Sequence, residues 1–237
     1  MRNRSKFTVN DKMSYIINNN HSLLLVISRF DLSLGFGDKT VKEVCEANGI
    51  DAGSFLAVVN FLSEEKHDPS NTYEWVELGS IIRYLKNAHS YFLDYKLPSI
   101  RSKLLQVVDS SPENNTPFRE IFLKFFDDYY TEVRKHMDYE NNTVFPYAVQ
   151  LFNGKRNPEY SISIFEQKHD QIDLKMIELK NILLKYYPSK GSDHLLTEVL
   201  FDIYACEKDL ASHNNVEDLL FVPAVKTLEQ KITQATL

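Results

Sequence analysis

Glycine and cysteine are scarce in this chain, with 7 Gly and 2 Cys among 237 residues. Two thiols, Cys45 and Cys206, are too few for a disulfide framework and fit a reducing compartment. So few glycines leave little of the turn signal that a many-stranded sheet needs. Long hydrophobic runs are missing as well. The first aliphatic stretch, residues 23–27, is followed at once by Arg29 and Asp31, and is too short for a signal segment or a membrane span. An excess of positive charge is also lacking: the net charge of -6 does not suit a general nucleic-acid binder. What remains is 43% hydrophobic and 25% charged, ordinary for a soluble globular protein. The length suits one large domain or two modest ones. A cytoplasmic protein that avoids membranes is expected.

Residues 1–75 read as a small helical unit. A helix is expected over 12–29, then a turn marked by Gly35 and Gly37. Thr40 is placed to cap a helix running through Ala47, with Glu43 at the capping-box position. Asn48-Gly49 breaks that helix, and a second is expected over 52–62. The pair resembles a helix-turn-helix. Its second helix contains no Lys or Arg, and Glu64-Glu65 follows, which tells against contacts with DNA phosphates and bases. Packing within the small domain is the favoured role for it. Residues 67–73, with Pro69, look like a linker to residues 76–237.

From Leu78 onward apolar residues recur at steps of three and four. The first stripe is Leu78, Ile82, Leu85, His89, Phe92, Leu97, Ile100 and Leu104, with Pro98 expected to kink it. The second is Phe118, Phe122, Phe125, Tyr129, Val133, His136, Glu140 and Val144. The third is Ile162, Phe165, His169, Ile172, Met176, Leu179 and Leu183. The fourth is Val199, Ile203, Cys206, Leu210, His213, Glu217 and Leu220. Loops are expected at 110–117, 153–158 and 188–192. The fold class is all-α: an antiparallel, up-down-up-down four-helix bundle preceded by the small helical domain.

Two segments of those stripes repeat one pattern. His136-x3-Glu140 leads to Phe145-Pro146, and His213-x3-Glu217 leads to Val222-Pro223, both of the form H-x3-E-x5-P. A His and a Glu four apart on a helix differ by about 40° in azimuth and reach the same point in space. His89 and His169 fall early on their helices, while His136 and His213 fall late on theirs. In an antiparallel bundle, at about 1.5 Å per residue, all four histidines lie within about two turns of one layer. A lone core histidine is more often bonded to a carbonyl than to a metal. Four histidines and two glutamates in one layer, with no cation on the seams, are not explained that way. Each unpaired buried carboxylate costs several kcal/mol unless it is paired or coordinates a metal.

His89, His136, Glu140, His169, His213 and Glu217 are therefore the candidate metal ligands. Six N/O donors are too many for one structural zinc and too rich in nitrogen for calcium or magnesium. Two irons fit, with two histidines on each and Glu140 and Glu217 bridging. An oxide or hydroxide bridge then leaves one position open per iron, which invites O2 or NO. The order His-x3-Glu differs from the Glu-x-x-His of ferritin-type sites.

These residues carry a resemblance. Residues 78–230 resemble the hemerythrin-like (HHE cation-binding) domain, and the whole chain is similar to the RIC family, the di-iron proteins for repair of iron centres. The matching motifs are Asn87-Ala88-His89 with Leu97-Pro98, His136-x3-Glu140 with Phe145-Pro146, Lys168-His169-Asp170, and His213-x3-Glu217 with Phe221. The resemblance implies the same six ligands, two irons, and a role in restoring iron-sulfur clusters under nitrosative or oxidative stress. Iron donation and direct reaction with NO are part of that implication.

The small domain of that family carries an adjacent cysteine pair before a Gly-Gly and a Lys-Thr. Here Lys39-Thr40 is retained, Leu34-Gly35 stands in place of the pair, and Cys45 lies downstream. This puts any thiol-dependent step in doubt and keeps an alternative open: a di-iron sensor or regulator of O2 or NO that signals through its N-terminal domain. An oxidase or peroxidase-like activity at the same site is a third reading, though a metal-binding stress protein is favoured over a dedicated enzyme. The partners implied are iron-sulfur proteins or another protein docked on the N-terminal domain, with homodimerisation also open to it. Cys206 reads as a small buried core residue; Tyr129 and Tyr130 precede His136, and Tyr129 reads as a core aromatic, with a place beside the site as the alternative.

Overall fold

Residues 6–63, 76–109, 116–167, 173–187 and 194–235 are described by a computed structural model, and among them every regular element is helical. The one extended pairing in this part of the chain is an isolated bridge between Lys12 and Thr40. The protein is an all-α helical bundle. No helix of the described residues is long and apolar enough to cross a membrane.

The first four helices are α1 (Met13–Asn19), α2 (Leu23–Arg29), α3 (Val41–Ala47) and α4 (Ala52–Ser63). Thr40 and Glu43 form the expected capping box: Glu43 N–H donates to Thr40 Oγ1, and Thr40 N–H donates to Glu43 Oε2 at 2.8 Å. The single helix expected over 12–29 is instead two. Asn20 is extended at φ -150°, and its side chain accepts from Ser22 N–H at 3.1 Å. Asparagine side chains compete in this way for backbone groups and end the helix. Helices α2 and α3 both stop in Schellman motifs. Gly49, at φ +63°, serves α3. Asp31, at φ +56°, serves α2 although it is not glycine, and its carboxylate accepts from Arg83 Nε and Asn87 Nδ2, each at 2.9 Å. Phe55, Val58, Val59 and Phe61 of α4 are buried, as the packing role requires.

Next come α5 (Leu78–Ser90), α6 (Leu97–Asp109), α7 (Thr116–Tyr139), α8 (Phe145–Phe152), α9 (Ile162–Glu166), α10 (Asp173–Tyr186), α11 (His194–Val216) and α12 (Val222–Ala235). Three pairs of these are continuous through a π-helical turn: Tyr91–Lys96, Glu140–Val144 and Glu217–Phe221. Each turn ends two residues before a proline: Pro98, Pro146 and Pro223. A proline inside an α-helix has no N–H to give, and its ring clashes with the carbonyl four residues back. Here the residue before each proline donates five residues back instead, Leu97 to Phe92, Phe145 to Glu140 and Val222 to Glu217. The irregularity expected at Pro98 thus takes the form of a widened turn, and it occurs three times among the described residues.

By packing, the chain divides into two units. The first comprises residues 1–88, 147–162 and 215–237. Its core includes Met13, Ile16, Phe30, Val41, Cys45, Phe55, Tyr84 and Leu85. Within it Arg29, 3% exposed, donates to Tyr84 Oη at 3.4 Å, and Asn87 Nδ2 donates to the Arg29 carbonyl at 2.8 Å. Tyr147 Oη donates to Glu229, whose Oε1 also accepts from Ile162 N–H at 2.9 Å. The second unit comprises residues 89–146 and 163–214, where α7 packs on α6 and α10. There Lys96 and Lys103 each reach Asp202 of α11 at 2.7 Å. Tyr187 Oη donates to the Val107 carbonyl at 2.9 Å.

The apolar seams are where the periodicity places them. Every described member of the first and fourth stripes is buried. On the second stripe Phe125 is half-buried and its neighbour Phe126 fills the core. On the third, Ile162, Phe165, Met176, Leu179 and Leu183 are buried, while Ile172 lies outside the described residues. The linker expected at 67–73 and the turn at 188–192 also lie outside them.

Candidate metal centre

His89 sits in the last turn of α5, and the first widened turn begins two residues on. Glu140 is the first residue of the second widened turn, one helical turn after His136 on α7. Glu217 is the first residue of the third, one helical turn after His213 on α11. Each glutamate therefore occupies the point where a helix leaves α register.

The structure brings five of the six candidate ligands into one cluster, four of them around a common point. His89, Glu140, His213 and Glu217 each offer one ligand atom, and these atoms all lie within 4.8 Å of one another. His89 and His213 are 1% exposed, and both glutamates are fully buried. His89 Nε2 is 3.2 Å from His213 Nε2 and 3.2 Å from Glu140 Oε2. His136 joins from the other side of Glu140, with Nε2 2.9 Å from Oε1. Its side chain keeps 15% exposure, which makes it the more solvent-facing member. His169 lies outside the described residues.

The donor set fits a transition metal. Imidazole nitrogens and carboxylate oxygens suit first-row metals such as iron, and the group contains no thiolate. Cys206 is buried on α11 seven residues before His213, about 10 Å along the axis. The two imidazole nitrogens facing each other at 3.2 Å share a proton or a metal ion, and the fully buried carboxylate beside them needs a positive partner, which a metal ion supplies. The Glu140 carboxylate turns one oxygen to each of two histidines, as a carboxylate spanning two ions would.

Aromatic rings wall the cluster. The His89 ring stacks on Phe145 at 5.5 Å between centroids, and Phe92 meets His213 edge-on at 5.8 Å. His136 stacks with Phe165 at 6.4 Å. Such walls exclude water and strengthen every electrostatic contact inside.

Sequence reasoning missed two polar neighbours. Asn141 Oδ1 lies 3.1 Å from His89 Nδ1. Tyr130 Oη donates to the Leu93 carbonyl at 2.9 Å, inside the first widened turn, and Arg134 in turn donates to Tyr130 Oη. Pro98 would be the donor to Leu93 in the five-back register and has no N–H, so the tyrosine supplies that bond. The signal available was proline inside an otherwise continuous helical stripe, at Pro98, Pro146 and Pro223. Tyr129, by contrast, is a core aromatic, 1% exposed.

The family model described as Hemerythrin HHE cation binding domain matches residues 80–225. That span holds all six candidate ligands and all three widened turns. No curated protein matches the chain.

Proposed function

We propose, from the premise that this chain belongs to the hemerythrin HHE cation-binding family, that it is a non-haem di-iron protein acting in the repair of iron-sulfur clusters under nitrosative or oxidative stress. His89 and His213 would hold one iron, His136 and His169 the other, with Glu140 and Glu217 bridging. The observation that carries the di-iron reading is the fully buried Glu140 carboxylate, with Oε2 3.2 Å from His89 Nε2 and Oε1 2.9 Å from His136 Nε2. Bound there, two irons supply open positions for a small diatomic such as NO or O2.

The chain's own residues define the rest. The imidazoles orient the centre, the two carboxylates offset its charge, and Phe92, Phe145 and Phe165 keep bulk water away. His136, with 15% exposure, marks the side from which a small ligand enters. The resemblance to the RIC family supports the repair role. The test is reactivation of a nitrosylated iron-sulfur enzyme by the iron-loaded full chain. Recovery well above that seen with equimolar free iron is expected.

One observation favours the second reading, a sensor of NO or O2. Cys45 is fully buried, and burial and then the nearby Asp51 push its thiol up to about 11. A thiol held protonated in the core is a poor nucleophile. Leu34-Gly35, where the family's cysteine pair would stand, offers no sulfur. NO binding without any reactivation would put the sensor first.

A further inference from the structure

Two consecutive residues bracket the two nitrogens of one imidazole. Glu140 Oε2 is 3.2 Å from His89 Nε2, and Asn141 Oδ1 is 3.1 Å from His89 Nδ1. In an α-helix neighbouring side chains diverge by about 100° and do not share a target. Glu140 and Asn141 open the π-helical turn that the Phe145 N–H to Glu140 carbonyl bond defines. A wider turn holds more residues, so successive side chains diverge less. That local widening lets both reach the same ring.

We infer that Asn141 is a positioning residue for the metal centre: its amide oxygen accepts the Nδ1 proton of His89 and so aims the Nε2 lone pair at the metal. The inference rests on the metal-centre reading above. An amide oxygen only accepts, so Nδ1 carries the hydrogen and Nε2 in the neutral ring carries the lone pair. Nε2 is the nitrogen that faces His213 and Glu140. With the proton on the other nitrogen, Nε2–H would donate to Glu140 and block coordination. Phe145, stacked on the ring at an interplanar angle of 21°, restrains its tilt, and Asn141 sets its rotation.

The choice of amide over carboxylate has a consequence. Outer partners of this kind orient a ligating histidine and tune its basicity. A carboxylate at 141 would make the imidazole more electron-rich and would add a third negative group beside two fully buried glutamates. Asparagine orients the ring without that charge. The amide therefore holds the centre at a higher reduction potential than an aspartate would.

The experiment compares the iron-loaded full chain with Asn141→Asp and Asn141→Leu. Iron affinity is read by chelator competition and the midpoint potential by redox titration. Asn141→Leu should weaken one of the two irons by about 10 to 100-fold, as His89→Ala would, with the melting temperature of the iron-free chain unchanged. Asn141→Asp should keep both irons and lower the midpoint potential. Should the leucine variant fail to fold, the aspartate variant decides alone. An unchanged potential in Asn141→Asp would overturn the inference. So would loss of iron from it, because an amide that donates to Nδ1 cannot be replaced by an acceptor. A wild-type chain that takes up no iron overturns the metal-centre reading and this inference together. A wild-type chain with two irons, beside variants identical to it, overturns the inference alone.

Discussion

Helices α2 and α3 of the amino-terminal part and the ligand-bearing helices α5, α7 and α11 treat helix irregularity in opposite ways. Helices α2 and α3 stop where the chain tells them to, in Schellman turns at Asp31 and Gly49, and α3 starts in a capping box. The ligand-bearing helices instead run on through Pro98, Pro146 and Pro223 by widening a turn. Buried polar groups follow the same division. Ser54 donates to Asp51 Oδ2 at 2.7 Å and accepts from Glu77 N–H at 2.9 Å, and Arg29 bonds Tyr84. Those contacts close a core. His89, Glu140, His213 and Glu217 face one another around a common point. Polar groups that only close a core pair off locally, whereas groups that hold a ligand converge.

The comparison breaks most visibly at the convergent glutamates. Glu140→Gln or Glu217→Gln should take the chain from two irons to none, because each carboxylate is assigned to both ions, while His89→Ala should spare one. Elemental analysis of the three variants checks this, and equal residual iron in all three would refute the bridging assignment.

On the other side of the comparison, Asp31→Ala should cost about 1 kcal/mol, from the loss of the half-exposed Arg83 and Asn87 bonds and of the tolerance that aspartate has over alanine for left-handed backbone. Urea unfolding measures it, with iron stoichiometry unchanged. Thr40→Ala removes the cap of α3 and should cost about 1 kcal/mol in the same assay, again with iron retained. If either variant lost iron in proportion to stability, the division between closing contacts and convergent ones would not hold.

The smallest effect is alkaline. The Cys45 thiol is raised in the folded chain from the ordinary 9.0 to about 11, by burial and then by Asp51. A raised thiol contributes stability that is fully present below about 9 and lost as pH climbs through about 11, because the unfolded chain ionises first. Cys45→Ala should flatten that part of the stability curve. An unchanged slope between pH 9 and 11 would show that the thiol is not held in this way.

Much of this was legible in the sequence, for physical reasons. A helix seam repeats at three and four residues, so His89, His213, Glu140 and Glu217 announce themselves by standing where Leu or Phe is expected. Thr40 and Glu43 are read directly because a capping box is local chemistry. The break at Asn20 was hidden because helix periodicity continues across it and only side-chain competition reveals it. The widened turns were hidden for the converse reason: a proline normally argues for a kink or an end, and the packed neighbours that let the helix continue are distant in sequence. Asn141 was hidden with them. In α register neighbouring side chains diverge by about 100°, and the wider turn that brings Asn141 closer in direction to Glu140 is not visible in the periodicity.

Metal content of the full chain, isolated without oxygen and never exposed to chelator, tests the central claim most directly. The account predicts two irons per chain, with near-ultraviolet absorption of an oxygen-bridged ferric pair appearing on oxidation. One zinc per chain, or a well-folded chain with no metal, would contradict it.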